Sequence, residues 1–72
     1  MKDYSVVFEQ TATGWSAYVP DLPGLGITGS TFEATEQLIR EGIGFHIEGL
    51  LTDNEPVPEP TTRVALMPVC AA

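Results

Sequence analysis

The side chains that most often act as a catalytic base or a thiol nucleophile occur once each in this chain, as His46 and Cys70. His46 borders an apolar stripe at helical spacing, which is typical of a hydrogen-bonded core histidine rather than a general base. Cys70 lies near the end of the sequence, where we expect a frayed segment and an inert thiol. Gly24, Gly26 and Gly29 do not lead into a P-loop lysine. The residues therefore give no positive sign of catalysis, of a metal site or of a bound cofactor.

Charge restricts the class of partner more sharply. Ten acidic residues stand against three basic ones, Lys2, Arg40 and Arg63, so the formal net charge is −7. Proteins bind nucleic acid by neutralising phosphates with lysine and arginine, so we expect no direct binding to DNA or RNA. A negative surface attracts basic proteins. The alternative is that the charge only keeps a small domain in solution.

Size and composition predict one domain over residues 1–72, with a core that is marginal on its own. A single cysteine cannot form an intrachain disulfide, so we expect oligomerisation to supply the missing stability. No apolar run approaches the roughly 20 residues that a bilayer span requires. The start of the sequence lacks the features of a signal peptide, which predicts a cytoplasmic protein.

Apolar periodicity divides the chain into strands and one helix. The helix is expected to begin at Ser30, with Glu33 completing a capping box, or at Thr31, with Glu33 next to the positive end of the helix dipole. Its core-facing stripe contains Phe32, Ile39, Ile43 and Leu50. The expected strands cover residues 4–10, 15–19 and 25–28 before the helix and 62–67 after a proline-rich connector, 52–60.

The order of these elements predicts an α+β fold. Three strands should form an antiparallel meander, and a right-handed crossover through the helix should place the last strand beside the first. The expected sheet order is 3-2-1-4, with the helix on one face. The open face and edges of such a sheet favour pairing with a second copy, so we expect a homodimer or a higher oligomer. Candidate oligomer contacts are Leu25 and Ile27 on the third strand and Leu38 and Phe45 on a second apolar line of the helix, with partial cover by the C-terminal tail as the alternative.

Several segments between residues 4 and 60, taken together in their order and spacing, resemble the N-terminal domain of the HicB antitoxins of HicA–HicB toxin–antitoxin pairs. The resemblance covers about residues 4–60, and its most specific part is the strand and proline corner Gly14-Trp15-Ser16-Ala17-Tyr18-Val19-Pro20-Asp21-Leu22-Pro23-Gly24. Residues 29–31, 39–43, 46–50 and 55–60 continue the match. The chain differs from the family pattern at Leu25, where cysteine is common. It also ends at Ala72 without the usual DNA-binding domain, so we expect no repression of its own operon.

The resemblance implies a partial RNase H-like fold and a non-enzymatic role, which is to cover the surface of a small basic HicA-like RNase toxin. The acidic contacts would come from Asp21, Glu33, Glu55 and Glu59, and Trp15 or Tyr18 would serve as anchors. Taken singly, each carboxylate is more often a solvated surface group than a contact, and Trp15 more often a core residue.

Two alternatives remain open. The chain could be an orphan HicB-like scaffold that binds copies of itself and no toxin. It could also be a degenerate nuclease, because RNase H-like enzymes hold two metal ions with clustered carboxylates. Asp3, Glu9 and Asp21 are the candidates for that cluster, although no spacing forces them together and the chain has no basic groove for a substrate.

Overall fold

A β-hairpin opens the fold. In the computed structural model, which describes residues 2–71, β1 (Val7–Gln10) pairs antiparallel with β2 (Trp15–Tyr18), with Phe8 opposite Ala17. The Thr11 N–H donates to the Gly14 carbonyl at 2.8 Å and closes the turn. Strand alternation directs Ala17 toward the helix and Tyr18 toward the opposite face. The sequence therefore predicted the hairpin correctly, although β1 and β2 are shorter than the strands expected over 4–10 and 15–19.

The proline corner after β2 is part of the core. The Leu22 N–H donates to the Val19 carbonyl, the Leu25 N–H donates to the Leu22 carbonyl, and the Leu22 side chain is fully buried. Gly24 has a φ of +88°, a left-handed conformation that glycine adopts without strain. The corner returns the chain to β3 (Gly26–Gly29), which pairs antiparallel with β2.

The helix, α1, spans Phe32–Thr52 and is capped at both ends. Thr31 is the N-cap, because its hydroxyl accepts a hydrogen bond from the Ala34 N–H at 3.0 Å. Glu33 therefore lies in the first turn, and the capping box based on Ser30 does not form. At the C-terminus Asn54 adopts a φ of 55°, and the Glu55 N–H donates to the Leu50 carbonyl at 2.8 Å. This Schellman geometry ends the helix before the prolines begin.

The helix packs mainly on β2 and β3. The buried core consists of Ala17, Val19, Leu22 and Ile39, with half-buried apolar residues around it. An aromatic group closes one end of this core: the Phe32 ring lies 4.6 Å from Phe8 and 5.3 Å from Trp15, centroid to centroid. The α+β class, the meander and the single long helix are thus as predicted.

The fourth strand predicted over 62–67 is not present in the described part of the chain. The sheet has three strands in the order β1-β2-β3, and the 3-2-1-4 order of a partial RNase H-like fold is not observed. The reason lies at Thr62, whose N–H donates to the Asp21 carboxylate and whose carbonyl accepts from the Ser5 hydroxyl. Its backbone groups are therefore not free for a ladder with β1, and residues 63–71 are exposed.

Candidate protein-binding surface

The helix carries most of the acidic side chains of the central region. Glu33, Glu36, Glu41 and Glu48 all belong to α1, which contains one basic residue, Arg40. Outside the helix, Lys2 forms an exposed ion pair with Glu59. The helix thus carries four of the ten acidic side chains on an element whose outer side faces solvent.

Two large apolar side chains stand among these carboxylates. Phe45 is 74% exposed and Leu38 is 44% exposed. They are seven residues apart, and Glu41 and Glu48 follow each of them by three, so the four share one side of the helix. We call Leu38, Glu41, Phe45 and Glu48 the outer ridge. A shallow depression beside the Phe45 ring is lined by Glu41, Gly44 and Glu48.

The predicted aromatic anchors lie on opposite faces of the sheet. Trp15 is half-buried and packs edge-on against Phe32 at an interplanar angle of 76°. Tyr18 is 43% exposed and lies on the face away from the helix, opposite Val7 and Gly26. The structure therefore joins Trp15 to the core and leaves Tyr18 accessible.

Asp21 holds the C-terminal segment. Its carboxylate accepts hydrogen bonds from the Thr62 N–H at 3.0 Å, the Thr62 hydroxyl at 2.8 Å and the Thr61 hydroxyl at 3.2 Å. The bond from the Thr62 N–H is the main reason that the pKa of Asp21 lies below its ordinary value of 3.8, and partial loss of hydration opposes this effect. Asp21 thus has partners within its own chain.

The other predicted acidic contacts differ in their surroundings. Glu33 is exposed in the first turn of α1, and Glu55 is exposed immediately after its C-terminal cap. Glu59 is exposed but paired with Lys2. Of the predicted oligomer contacts, Leu25 and Ile27 pack against the core, whereas Leu38 and Phe45 are exposed on the outer ridge.

The sequence reading did not identify Glu41 and Glu48 as candidates. The sequence nevertheless contains a pattern that points to them, because a glutamate follows both Leu38 and Phe45 at the same three-residue spacing. The significance of that spacing depends on which side of the helix the sheet covers, and the packing of α1 on β2 and β3 decides this.

The candidates for catalytic or metal chemistry are separate from this surface. Within residues 2–71, no group of three or more histidine, cysteine, aspartate or glutamate side chains is placed to hold a metal ion. Asp21 accepts hydrogen bonds from the C-terminal segment, Glu9 is exposed on β1 opposite Ser16, and Asp3 is exposed. His46 is half-buried on α1, and Cys70 is exposed.

Within residues 2–71, no helix is long and apolar enough to cross a membrane.

Comparison with known proteins gives one family and two relatives. A family model described as a HicB-like antitoxin of a bacterial toxin–antitoxin system matches residues 4–68. A UPF0150 protein of Synechocystis sp. is 38% identical over 58 residues, which cover 79% of this chain and 73% of that protein. A 14.9 kDa protein from the rep–hol intergenic region of Haemophilus phage HP1 is 38% identical over 56 residues. That match covers 78% of this chain and 42% of the phage protein, so the chain spans less than half of this relative.

Proposed function

The chain belongs to the HicB-like antitoxin family of bacterial toxin–antitoxin systems, and we propose that it neutralises a small basic HicA-like mRNA-cleaving toxin by covering the toxin's RNA-binding surface. The observation that carries this proposal is the outer ridge, where exposed apolar side chains stand between carboxylates on a chain of net charge −7. An inhibitor of this kind needs no catalytic group, because it acts by competing with RNA. It would act in the cytoplasm, where the mRNA is.

The outer ridge has the chemistry that a basic partner requires. The Phe45 ring is open to solvent, and the depression beside it is lined by the carboxylates of Glu41 and Glu48. A lysine or arginine side chain of the toxin can lie across the ring face while its charge meets a carboxylate. The Gln37 amide donates to Glu41 Oε2 at 2.9 Å and orients that carboxylate. Phe45 would be the buried anchor, with Leu38 extending the apolar contact.

The earlier candidates divide according to whether they already have a partner. Trp15 packs on Phe32, Asp21 holds Thr62, and Glu59 pairs with Lys2. We propose that these three serve the fold.

The exposed residues Tyr18, Glu33 and Glu55 remain available. In this proposal Glu33 and Glu55 contribute charge and steering at the edges of the interface rather than its centre, since exposed charges mainly affect the rate of encounter. Tyr18 offers an exposed aromatic contact there.

The test is to mix the purified chain with the small basic protein encoded beside its gene. Co-elution in size exclusion, together with loss of the partner's RNase activity, is the expected result. Separate elution with undiminished cleavage of RNA would contradict the proposed function for that partner.

Two charge reversals then locate the interface. Glu48→Lys lies on the outer ridge, whereas Asp3→Lys makes the same change in net charge at an exposed position outside it. We expect Glu48→Lys to weaken inhibition by about tenfold or more and Asp3→Lys to weaken it far less. Equal losses from both variants would show that net charge, not the outer ridge, governs binding.

A second candidate function is an orphan scaffold that binds copies of itself. The observation that favours it is the exposed apolar tail, in which Val64, Leu66 and Met67 face solvent. Self-association of the pure chain without any effect on the neighbouring basic protein would support this alternative over the antitoxin.

A further inference from the structure

Both edge strands of the sheet, β1 and β3, have an unpaired side within the described residues, and a groove runs beside the free edge of β1. Within the described residues β1 pairs with β2 alone, and α1 packs mainly on β2 and β3, so the helix does not close over the free edge of β1. The groove between them has a volume of about 320 Å³. Its lining comprises Tyr4, Val6 and Phe8 from the first strand region and Glu36, Ile39, Arg40 and Ile43 from the helix. An unpaired edge next to an apolar groove is the place where another strand can add.

The C-terminal arm, which we define as residues 63–71, has the composition of such a strand. All nine of its residues are exposed, and Leu66 is 96% exposed. In an extended chain Val64 and Leu66 point to one side, while Arg63 and Met67 point to the other. Pro68 lacks an N–H and would end a ladder there. The arm therefore offers a strand of about five residues with one aliphatic face, close to the length of β1.

The shape of the chain shows that the arm stands away from the body. The longest dimension is 51 Å, against 26 and 19 Å for the other two. The radius of gyration is 14.2 Å, whereas a compact domain of this length has about 11 Å. Hydrogen bonds from Thr62 to Asp21 and from Ser5 to Thr62 fix the point at which the arm leaves. An extended aliphatic segment held in this position is exposed to solvent and accessible to another molecule.

We propose that the C-terminal arm of one copy adds as a strand to the free edge of β1 in a second copy, and that the second copy returns the same contact. Val64 and Leu66 enter the groove beside Ile39 and Ile43, and Arg63 stays in water. A two-fold arrangement fills both grooves and removes both exposed arms at once. The interface is separate from the outer ridge, so the dimer leaves Phe45 open and does not depend on toxin binding.

Light scattering after size exclusion tests this proposal on the 72-residue chain. The wild-type chain should be a dimer, and Leu66→Asp should be a monomer that keeps its helical circular dichroism. The matched control is Leu51→Asp, which changes another exposed leucine in the last turn of α1 and should leave the dimer intact. A monomeric wild-type chain would overturn the proposal. Loss of the dimer in Phe45→Asp with retention in Leu66→Asp would also overturn it, because the helix would then be the interface.

Amide hydrogen exchange separates strand addition from pairing of two arms with each other. In the wild-type dimer the amides of Val7–Gln10 that point away from β2 should exchange about tenfold or more slowly than in Leu66→Asp. Protection confined to the arm, with no change in β1, would show that the arms pair only with one another.

Discussion

The Asp21 carboxylate accepts a hydrogen bond from the Thr62 N–H, which lies forty-one residues further along the chain. Thr61 and Thr62 add their hydroxyls to the same carboxylate. The proline corner after β2 is thereby joined to the segment that follows the helix. This contact decides where the C-terminal arm leaves the body of the protein.

Acid should release this contact. Because the Thr62 N–H lowers the pKa of Asp21 in the folded protein, the contact stabilises the fold above the ordinary value of 3.8 and is lost as the pH falls through the lowered value. The chemical shift of the Thr62 amide should therefore move toward the value of a disordered chain below pH 3.8 and remain unchanged above about pH 5. A pH titration followed by two-dimensional NMR measures this.

Asp21→Asn provides the comparison for that titration. The amide retains an oxygen acceptor but does not titrate, so the acid step at Thr62 should disappear while the other carboxylates titrate as before. A step of the same size in Asp21→Asn would assign the release to different acidic groups.

Replacing two glycines with alanine, one at a time, should change the stability of the fold in opposite directions. A Cβ at Gly29 would lie 2.4 Å from Thr35 Oγ1, and this buried hydroxyl already donates to the Thr31 carbonyl at 2.7 Å. Gly29→Ala should lower the free energy of unfolding by about 1–3 kcal/mol, because Thr35 has no room to move. A Cβ at Gly44 meets no described atom within 4 Å. Gly44→Ala should therefore raise the free energy of unfolding by as much as about 1 kcal/mol through its higher helix propensity. Urea unfolding measures both, and a stabilising Gly29→Ala would contradict the close approach.

The helix cap can be tested with two neighbouring hydroxyl residues. Thr31 accepts the hydrogen bond from the Ala34 N–H, so Thr31→Ala should lower the free energy of unfolding by about 1 kcal/mol. Ser30→Ala, one position earlier, should change it by less than about 0.5 kcal/mol. Thermal unfolding followed by circular dichroism compares the two, and a larger loss in Ser30→Ala would assign the cap to Ser30.

Association with a basic toxin should depend strongly on salt. Since the chain has a net charge of −7, the association rate should fall by about tenfold or more between low and high ionic strength, while the dissociation rate changes little. Stopped-flow mixing measures this, and Glu48→Lys should show a weaker dependence. A salt-independent association rate would argue that charge does not steer the encounter.

Local patterns predicted the elements that depend on nearby residues. Alternating apolar side chains gave β1 and β2, and helical spacing placed Ile39 on the buried side of α1. The same patterns did not distinguish Ser30 from Thr31 as the cap, because either hydroxyl fits the spacing. They also missed the complete burial of Leu22, since a residue between two prolines is typical of a surface turn.

The candidate surface could be predicted only in part. Leu38 and Phe45 were recognised as apolar residues off the main stripe, and the structure shows both exposed. Their relation to Glu41 and Glu48 required knowing which side of α1 the sheet covers. For Trp15 the sequence favoured a core position over an anchor in the interface, but its neighbour Phe32 could not be named because that residue belongs to another element.

The sequence by itself determined the family, the acidic charge, the three strands and the helix, because composition, periodicity and turn chemistry act over a few residues. Only the tertiary structure decided what happens to residues 62–67, which have the composition of a strand and do not form one here. A residue joins a strand ladder only where its own backbone N–H and carbonyl are free to meet those of a neighbour. At Thr62 these two groups are bound by the Asp21 carboxylate and the Ser5 hydroxyl, so the predicted strand does not begin there, and contacts between residues so distant in the chain are set by folding as a whole.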